Sequence, residues 1–131
     1  MDQLLFKGCP VQFTMQFLAG KWQIAILWNL SQKPLRFGEL KKNIAGITDK
    51  ILMKELRFFE DKEIVYRKKF DEMPPRVEYS LAPLGRSLLP VINQIVDWGY
   101  THLQDAKVSK DMYHTPLADI EEIARLNVNR D

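Results

Sequence analysis

The stretch from Leu35 to Leu81 admits few folds. It reads as a short helix over Leu35 to Ile44, a glycine-bearing turn at Ala45-Gly46-Ile47, and a longer helix from Asp49 to Ile64. Two strand-like runs follow, with Met73-Pro74-Pro75-Arg76 between them. A short helix, a tight turn and a longer basic helix make the helix-turn-helix pattern, in which the second helix enters the DNA major groove. A hairpin directly after it makes the winged version.

The second helix carries most of the information. Thr48 suits the N-cap, where its hydroxyl accepts from an unpaired backbone N–H of the first turn. Asp49 suits the positive end of the helix dipole. At about 100° per residue, Leu52, Leu56 and Phe59 share one side. Lys50, Lys54 and Arg57 fall within about 40° of one line on the opposite side, with Met53 beside them. One face can therefore anchor in a core while the other presents three cations. A solvated charged face is the plain alternative for such a helix taken alone; the preceding helix, the turn and the hairpin weigh against it.

The hairpin offers a second contact surface. Ile64 to Phe70 is rich in β-branched and aromatic residues. Val77, Tyr79 and Leu81 alternate with Glu78 and Ser80, as a half-buried strand requires. Asp71-Glu72-Met73-Pro74-Pro75 turns the chain. Arg67, Lys68, Lys69 and Arg76 lie near the tip, within reach of phosphates or the adjacent minor groove. Charged edges that discourage aggregation are the alternative reading.

The formal net charge of the 131 residues is only +2, so the total does not announce a nucleic-acid partner. Its distribution is more useful. Residues 33–76 hold twelve Lys/Arg against eight Asp/Glu, whereas residues 82–131 hold five against seven. The positive excess sits on the helix-turn-helix and hairpin, the acidic excess on the tail. The length points to a single domain over 1–131, with a core at 9–106 and a linker plus short helix at 107–131. No apolar run is long enough to cross a membrane, and the start lacks a signal-peptide design, so a cytoplasmic protein with no membrane partner is expected.

Leu4, Leu5 and Phe6 are too apolar for a solvated arm and point to a covered site, such as a partner subunit. Pro10 fits a first helical position, which puts Cys9 at the N-cap. That helix runs to about Leu18, with Val11, Met15 and Leu18 on one side. Ala19-Gly20 interrupts it. The next helix, about Lys21 to Leu30, is apolar around most of its circumference and reads as the central buried helix. Arg36 lies near the start of the following helix, where it can meet a phosphate. After the hairpin a long helical pattern spans about Leu84 to Ala106, and Pro90 either kinks it or marks its true start. Its apolar stripe is wider than one small domain needs, so pairing with a second copy is expected. Phe6, Val11, Met15, Ile92, Ile95 and Trp98 are the expected dimer-interface residues.

Cys9 is the single cysteine, which excludes an intrachain disulfide and a Cys-based zinc site within one chain. The helix N-terminus and nearby Lys7 both favour a reactive thiolate. The competing reading is a small buried apolar residue. His102 and His114 lack a ligand spacing, so no metal and no cofactor is expected. No phosphate loop and no nucleophile motif is present, which argues against an enzyme. The tryptophans Trp22, Trp28 and Trp98 read as core or interface more readily than as a ligand pocket.

Several motifs in the same order resemble HxlR-type transcriptional regulators. They are Cys9-Pro10-Val11, Gly20-Lys21-Trp22, Pro34-Leu35-Arg36-Phe37-Gly38-Glu39-Leu40, Gly46-Ile47-Thr48, Leu56-Arg57, Pro74-Pro75-Arg76-Val77-Glu78-Tyr79-Ser80-Leu81 and Asp97-Trp98-Gly99. The likeness spans about residues 9–99, and the Pro-Pro-Arg-Val-Glu-Tyr-Ser-Leu run is its most specific part. The resemblance implies a MarR-related winged helix-turn-helix, mainly α with a small β-hairpin wing, dimerising through N-terminal and long C-terminal helices. It implies a homodimer on a pseudo-palindromic double-stranded DNA operator, acting as repressor or activator. Thr48 to Arg57 would be the recognition face and Lys68 to Arg76 the wing. It further implies that Cys9 occupies a position through which some members sense electrophiles, oxidants or aldehydes. Phe58-Phe59 and Asp61-Lys62-Glu63 depart from the family pattern, and the tail after Lys107 does not align with it.

The resulting expectation is a sequence-specific DNA-binding regulator. Arg36, Thr48, Lys50, Met53, Lys54, Arg57, Lys68, Lys69 and Arg76 are its DNA contacts, and Cys9 responds to a thiol-reactive or other small-molecule effector. The alternative is a winged-helix protein-interaction adaptor. That reading calls for an apolar patch where the second helix carries its cations.

Overall fold

The structure is a computed structural model, and it describes residues 8–103. Among these the order is α1 (Pro10–Leu18), α2 (Gln23–Leu30), α3 (Phe37–Asn43), α4 (Asp49–Asp61), β1 (Val65–Phe70), β2 (Arg76–Leu81), α5 (Pro83–Ser87) and α6 (Leu89–Leu103). β1 and β2 form an antiparallel hairpin, with Val65 opposite Leu81 and Phe70 opposite Arg76. The expectations placed on Phe6, on the linker and on the last short helix lie outside the described residues.

The core is built around α2. Ala25, Ile26, Leu27, Trp28 and Leu30 are all buried, so this helix has almost no solvent face. Leu40 and Ile44 from the α3 region pack into the same cluster, with Leu52, Leu56 and Phe59 from α4. Val65, Tyr79 and Leu81 of the hairpin and Ile92 and Val96 of α6 complete it. Each large side chain removed from water contributes about 1.5–3 kcal/mol before entropy is counted. Gln23 is the one buried polar side chain among the described residues. It is fully employed. Its amide oxygen accepts from Gly20 N–H at 2.8 Å, and its amide nitrogen donates to Gln16 C=O at 2.8 Å. Gln23 thereby holds the break between α1 and α2.

Two boundaries differ from those the sequence suggests. Leu35 is not helical. It exchanges two backbone hydrogen bonds with Tyr79, at 2.9 and 2.8 Å, and so lies along the outer edge of β2. α3 begins at Phe37 because Glu39 accepts from Arg36 N–H at 2.9 Å and closes the helix start there. An arginine side chain has no acceptor, so the reciprocal half of a capping box is absent.

α4 ends at Asp61 and not at Ile64. Ile64 N–H bonds back to Phe59 C=O and Glu63 N–H to Glu60 C=O, the two bonds of a Schellman motif. Glu63 holds the left-handed position at φ +60, where glycine is usual. The departure Asp61-Lys62-Glu63 therefore keeps the same turn with a less suited residue.

The helical pattern from Leu84 to Ala106 is two helices within the described residues, with Pro90 near the start of the second, which is one of the two readings the sequence left open. Pro90 has no N–H, and its ring would clash with the carbonyl four residues earlier. The chain tightens at Leu88, whose N–H bonds Gly85 C=O at 3.1 Å, and α6 then starts with Pro90 in its first turn.

Ile64 C=O is the clasp of the wing's base. It accepts from Ala82 N–H at 2.9 Å, which ties the end of the hairpin to its beginning. α5 crosses so near that a Cβ on Gly85 would lie 2.2 Å from the Ile64 oxygen. Gly85→Ala is therefore expected to destabilise the protein by at least about 1–3 kcal/mol, the usual cost of overpacking. A urea midpoint lowered at unchanged slope would show this; a midpoint equal to wild type would refute the close approach.

Candidate nucleic-acid interface

The turn between α3 and α4 is set by Gly46, whose φ is +87. Ile47 is buried beneath it, and the Trp22 ring packs beside it. Thr48 Oγ1 accepts from Ile51 N–H at 3.2 Å and caps α4. Asp49 pairs with Lys41 of α3 at 2.6 Å. Both side chains are well exposed, so this pair adds little stability, but it occupies both charges.

Burial of Leu52, Leu56 and Phe59 fixes the rotation of α4. Lys50, Lys54 and Arg57 consequently stand exposed on the opposite side, with Met53 half-buried at their edge. Among the described residues none of the three has an ion-pair partner, nor does Arg36 at the exposed start of α3. The helix-turn-helix thus presents uncompensated positive charge on a rigid support. Asp61 lies one turn beyond Arg57 on the same line, so the cationic stretch is confined to the first three turns.

In the hairpin, directly opposed residues share a face. Lys68, Phe70, Arg76 and Glu78 are on one face; Arg67, Lys69, Val77 and Tyr79 are on the other. The two wing lysines therefore point to opposite sides. Arg76 is engaged within the hairpin, close to Glu72, Glu78 and the Phe70 ring. Lys68 Nζ also lies 4.8 Å from that ring centroid. Met73 occupies the tip and is 96% exposed.

The expected dimer residues divide. Val11 and Met15 are exposed on α1, and Ile95 and Trp98 on α6, with Trp98 70% exposed. Ile92 corrects the expectation, because it is 0% exposed inside the chain's own core and cannot line a surface. Phe13 and Val91, which were not singled out in the sequence, extend the two exposed apolar faces. A hydrophobic residue on the outer side of α1 was the available signal. Trp28 is core and Trp22 half-buried, so the three tryptophans do not form one pocket.

Cys9 caps α1, its sulfur accepting from Val11 N–H at 3.3 Å, and is only 2% exposed. An open depression beside it is lined by Gly8, Cys9, Pro10, Gln12, Phe13 and Gln16. A line of ring contacts leads inward from there. Phe13 and Phe17 meet edge-on at 5.5 Å, Phe17 and Phe58 lie 5.9 Å apart, and Phe58 and Phe59 lie 5.7 Å apart. Among the described residues no group of three His, Cys, Asp or Glu side chains is placed to hold a metal, and no helix is long and apolar enough to cross a membrane.

A two-stranded wing following a helix-turn-helix whose second helix shows a cationic face defines a winged helix-turn-helix protein. Residues 17–107 match the HxlR-like helix-turn-helix family, and the chain belongs to that family. It is 40% identical over 94 residues to the HTH-type transcriptional regulator YdeP of Bacillus subtilis (strain 168), covering 72% of this chain and 73% of YdeP. A solved MarR-family transcriptional regulator from Porphyromonas gingivalis W83 superposes with a TM-score of 0.68 at 45% identity, over 72% of this chain and 92% of that one. The redox regulator HypR in its reduced form superposes with a TM-score of 0.72 at 34% identity, over 75% and 97%. The chain is accordingly a transcriptional regulator of the helix-turn-helix type.

The cap on α4 can be tested without DNA. Thr48→Ala is expected to cost about 1 kcal/mol of stability. Lys54→Ala, at an exposed position without an ion pair, should stay within about 0.5 kcal/mol of wild type. Thermal unfolding of both variants reads the difference directly.

Proposed function

We propose that the protein acts as a homodimer that places the two α4 helices in successive major grooves of a pseudo-palindromic operator, about one helical turn apart. The observation that carries this reading is the exposed set Lys50, Lys54 and Arg57, opposite a fully buried face and without carboxylate partners among the described residues. Thr48 and Met53 border that set, and Arg36 would meet the backbone beside it. Lys68 and Lys69 on the wing would reach phosphates or the minor groove. The exposed apolar faces of α1 and α6, through Val11, Met15, Ile95 and Trp98, supply the dimer contact. Such a protein works in the cytoplasm, where the chromosome of a bacterial or archaeal cell lies. An adaptor role has no support in this surface, because the outward side of α4 offers Met53 as its main apolar group.

Binding to duplexes from the gene's own upstream region tests the reading. Wild-type affinity should fall steeply with salt as counterions are released, and scrambled duplex should bind more weakly. Lys54→Ala/Arg57→Ala should lose roughly a hundredfold in affinity, at about 1–3 kcal/mol for a good contact. Equal binding by the variant would refute the assignment of α4.

A thiol response follows from a specific feature. Cys9 caps a helix whose Phe17 touches Phe58 on α4, so a change at the cap has a packed route to the recognition helix. HypR, a structural relative, is a redox regulator. Diamide would take two hydrogens from two Cys9 thiols, leaving an intersubunit disulfide and the hydrazine. Operator binding should change on diamide treatment in wild type and not in Cys9→Ser. A full response in Cys9→Ser would dismiss Cys9 as the sensor.

A further inference from the structure

Arg76 lies on the wing, where an arginine invites assignment as a phosphate contact. Its surroundings point elsewhere. The guanidinium carbon sits 4.1 Å from the centroid of the Phe70 ring. Nη2 lies 3.4 Å from Glu72 Oε1, and Nε lies 3.3 Å from Glu78 Oε2. The Nε contact lacks hydrogen-bond geometry and is a charge–charge contact, with Nε itself buried. The side chain is 27% exposed. Its three neighbours come from the end of β1, the tip and the middle of β2. One side chain therefore ties both strands and the connecting loop together.

We propose that Arg76 is a positioning residue, which holds the wing in shape and offsets part of the charge of Glu72 and Glu78, and that its guanidinium does not itself contact DNA. The proposal rests on the reading that the hairpin meets DNA. To reach a phosphate Arg76 would have to leave an aromatic face and two carboxylates. Those carboxylates would then stand unpaired beside a polyanion, where like charges repel. Left in place, the clamp together with Lys68 balances the charge on that face of the wing, and it keeps the tip, with Met73, in a fixed attitude. Arg67 and Lys69 on the opposite face have no carboxylate partner among the described residues and remain to face phosphates. Arginine is required for this role, since its planar group stacks on a ring while its separate nitrogens face two acids. A lysine ammonium cannot do both.

The sign of one substitution separates the roles. If Arg76 were a phosphate ligand restrained by its acids, Glu78→Gln would release it, remove a negative charge and tighten binding. If Arg76 is a clamp, Glu78→Gln loosens the wing and weakens binding. The experiment measures operator affinity against salt concentration for wild type, Arg76→Ala, Arg76→Lys, Glu78→Gln and Lys68→Ala/Lys69→Ala, below the melting temperature of each. Arg76→Ala should weaken binding about tenfold, with Arg76→Lys nearly as weak and with the salt slope of wild type. Glu78→Gln should also weaken it. Tighter binding by Glu78→Gln, rescue by Arg76→Lys, a slope reduced by about 0.9 in Arg76→Ala, or wild-type affinity in Arg76→Ala would each overturn the proposal. Lys68→Ala/Lys69→Ala reports on the underlying reading. Reduced affinity and slope support the wing as a DNA contact, and no change in either removes that reading and the proposal with it.

Discussion

The burial of Leu52, Leu56 and Phe59 decides what the protein can present to DNA. These three side chains have no solvent exposure, and at helical spacing they leave one orientation for α4. Every cation on the outer side is placed by that inner contact. The core beneath them includes α2, whose Ala25, Ile26, Leu27, Trp28 and Leu30 are all buried. The wing is fixed to the same body through Ile64, whose side chain lies in the core and whose carbonyl holds Ala82, the residue just after β2. Recognition helix and wing are therefore parts of one rigid unit, and their relative position is set by packing instead of by flexible loops.

α1 and α4 touch through aromatic rings. Phe58 is one of the residues that depart from the family pattern, and it is half-buried against Phe17. Aromatic pairs at such separations contribute about 0.5–1.5 kcal/mol beyond their area. Four phenyl rings run from the exposed side of α1, next to the Cys9 cap, to the buried side of α4. Close-packed interiors transmit displacement because they have few voids to absorb it. The ring contact of Phe17 with Phe58 is a place where α1 touches α4. A buried thiol also sets a condition on any reagent, since the α1 start must open before the sulfur can react.

Much of this was legible in the sequence, for reasons that differ by element. The N-caps Cys9 and Thr48, the interruption at Gly20 and the left-handed turn at Gly46 rest on local chemistry, which a sequence displays directly. The two faces of α4 follow from periodicity. The errors have non-local causes. Leu35 reads as the start of a helix, and only its pairing with Tyr79, far along the chain, shows that it extends the sheet. Ile92 and Ile95 belong to one apolar stripe, and nothing in the spacing tells which of them the chain's own core takes. The employment of Gln23 and the crossing at Gly85 depend on where another segment's backbone lies. Residue type located the exposed cations of α4 and the wing but not which of them carboxylates already engage.

That last distinction alters the electrostatic account of the interface. Counted along the sequence, residues 33–76 carry a modest positive excess. Arranged in space, the charges segregate. Lys41 is neutralised by Asp49 and Arg76 by Glu72 and Glu78, whereas Lys50, Lys54, Arg57 and Arg36 have no acidic partner among the described residues. Unpaired positive charge on the helix-turn-helix is consequently concentrated on α4 and the start of α3, and on the wing it rests on Arg67, Lys68 and Lys69. Concentrated charge on one helix draws any duplex toward one face, which aids encounter but does not distinguish sequences. The clamped face of the wing, with Lys68 and Arg76 beside Glu72 and Glu78, adds little to non-specific attraction, and its contribution depends on fit. A winged protein of small net charge can in this way limit its affinity for arbitrary DNA while keeping two separate elements in register on a preferred site.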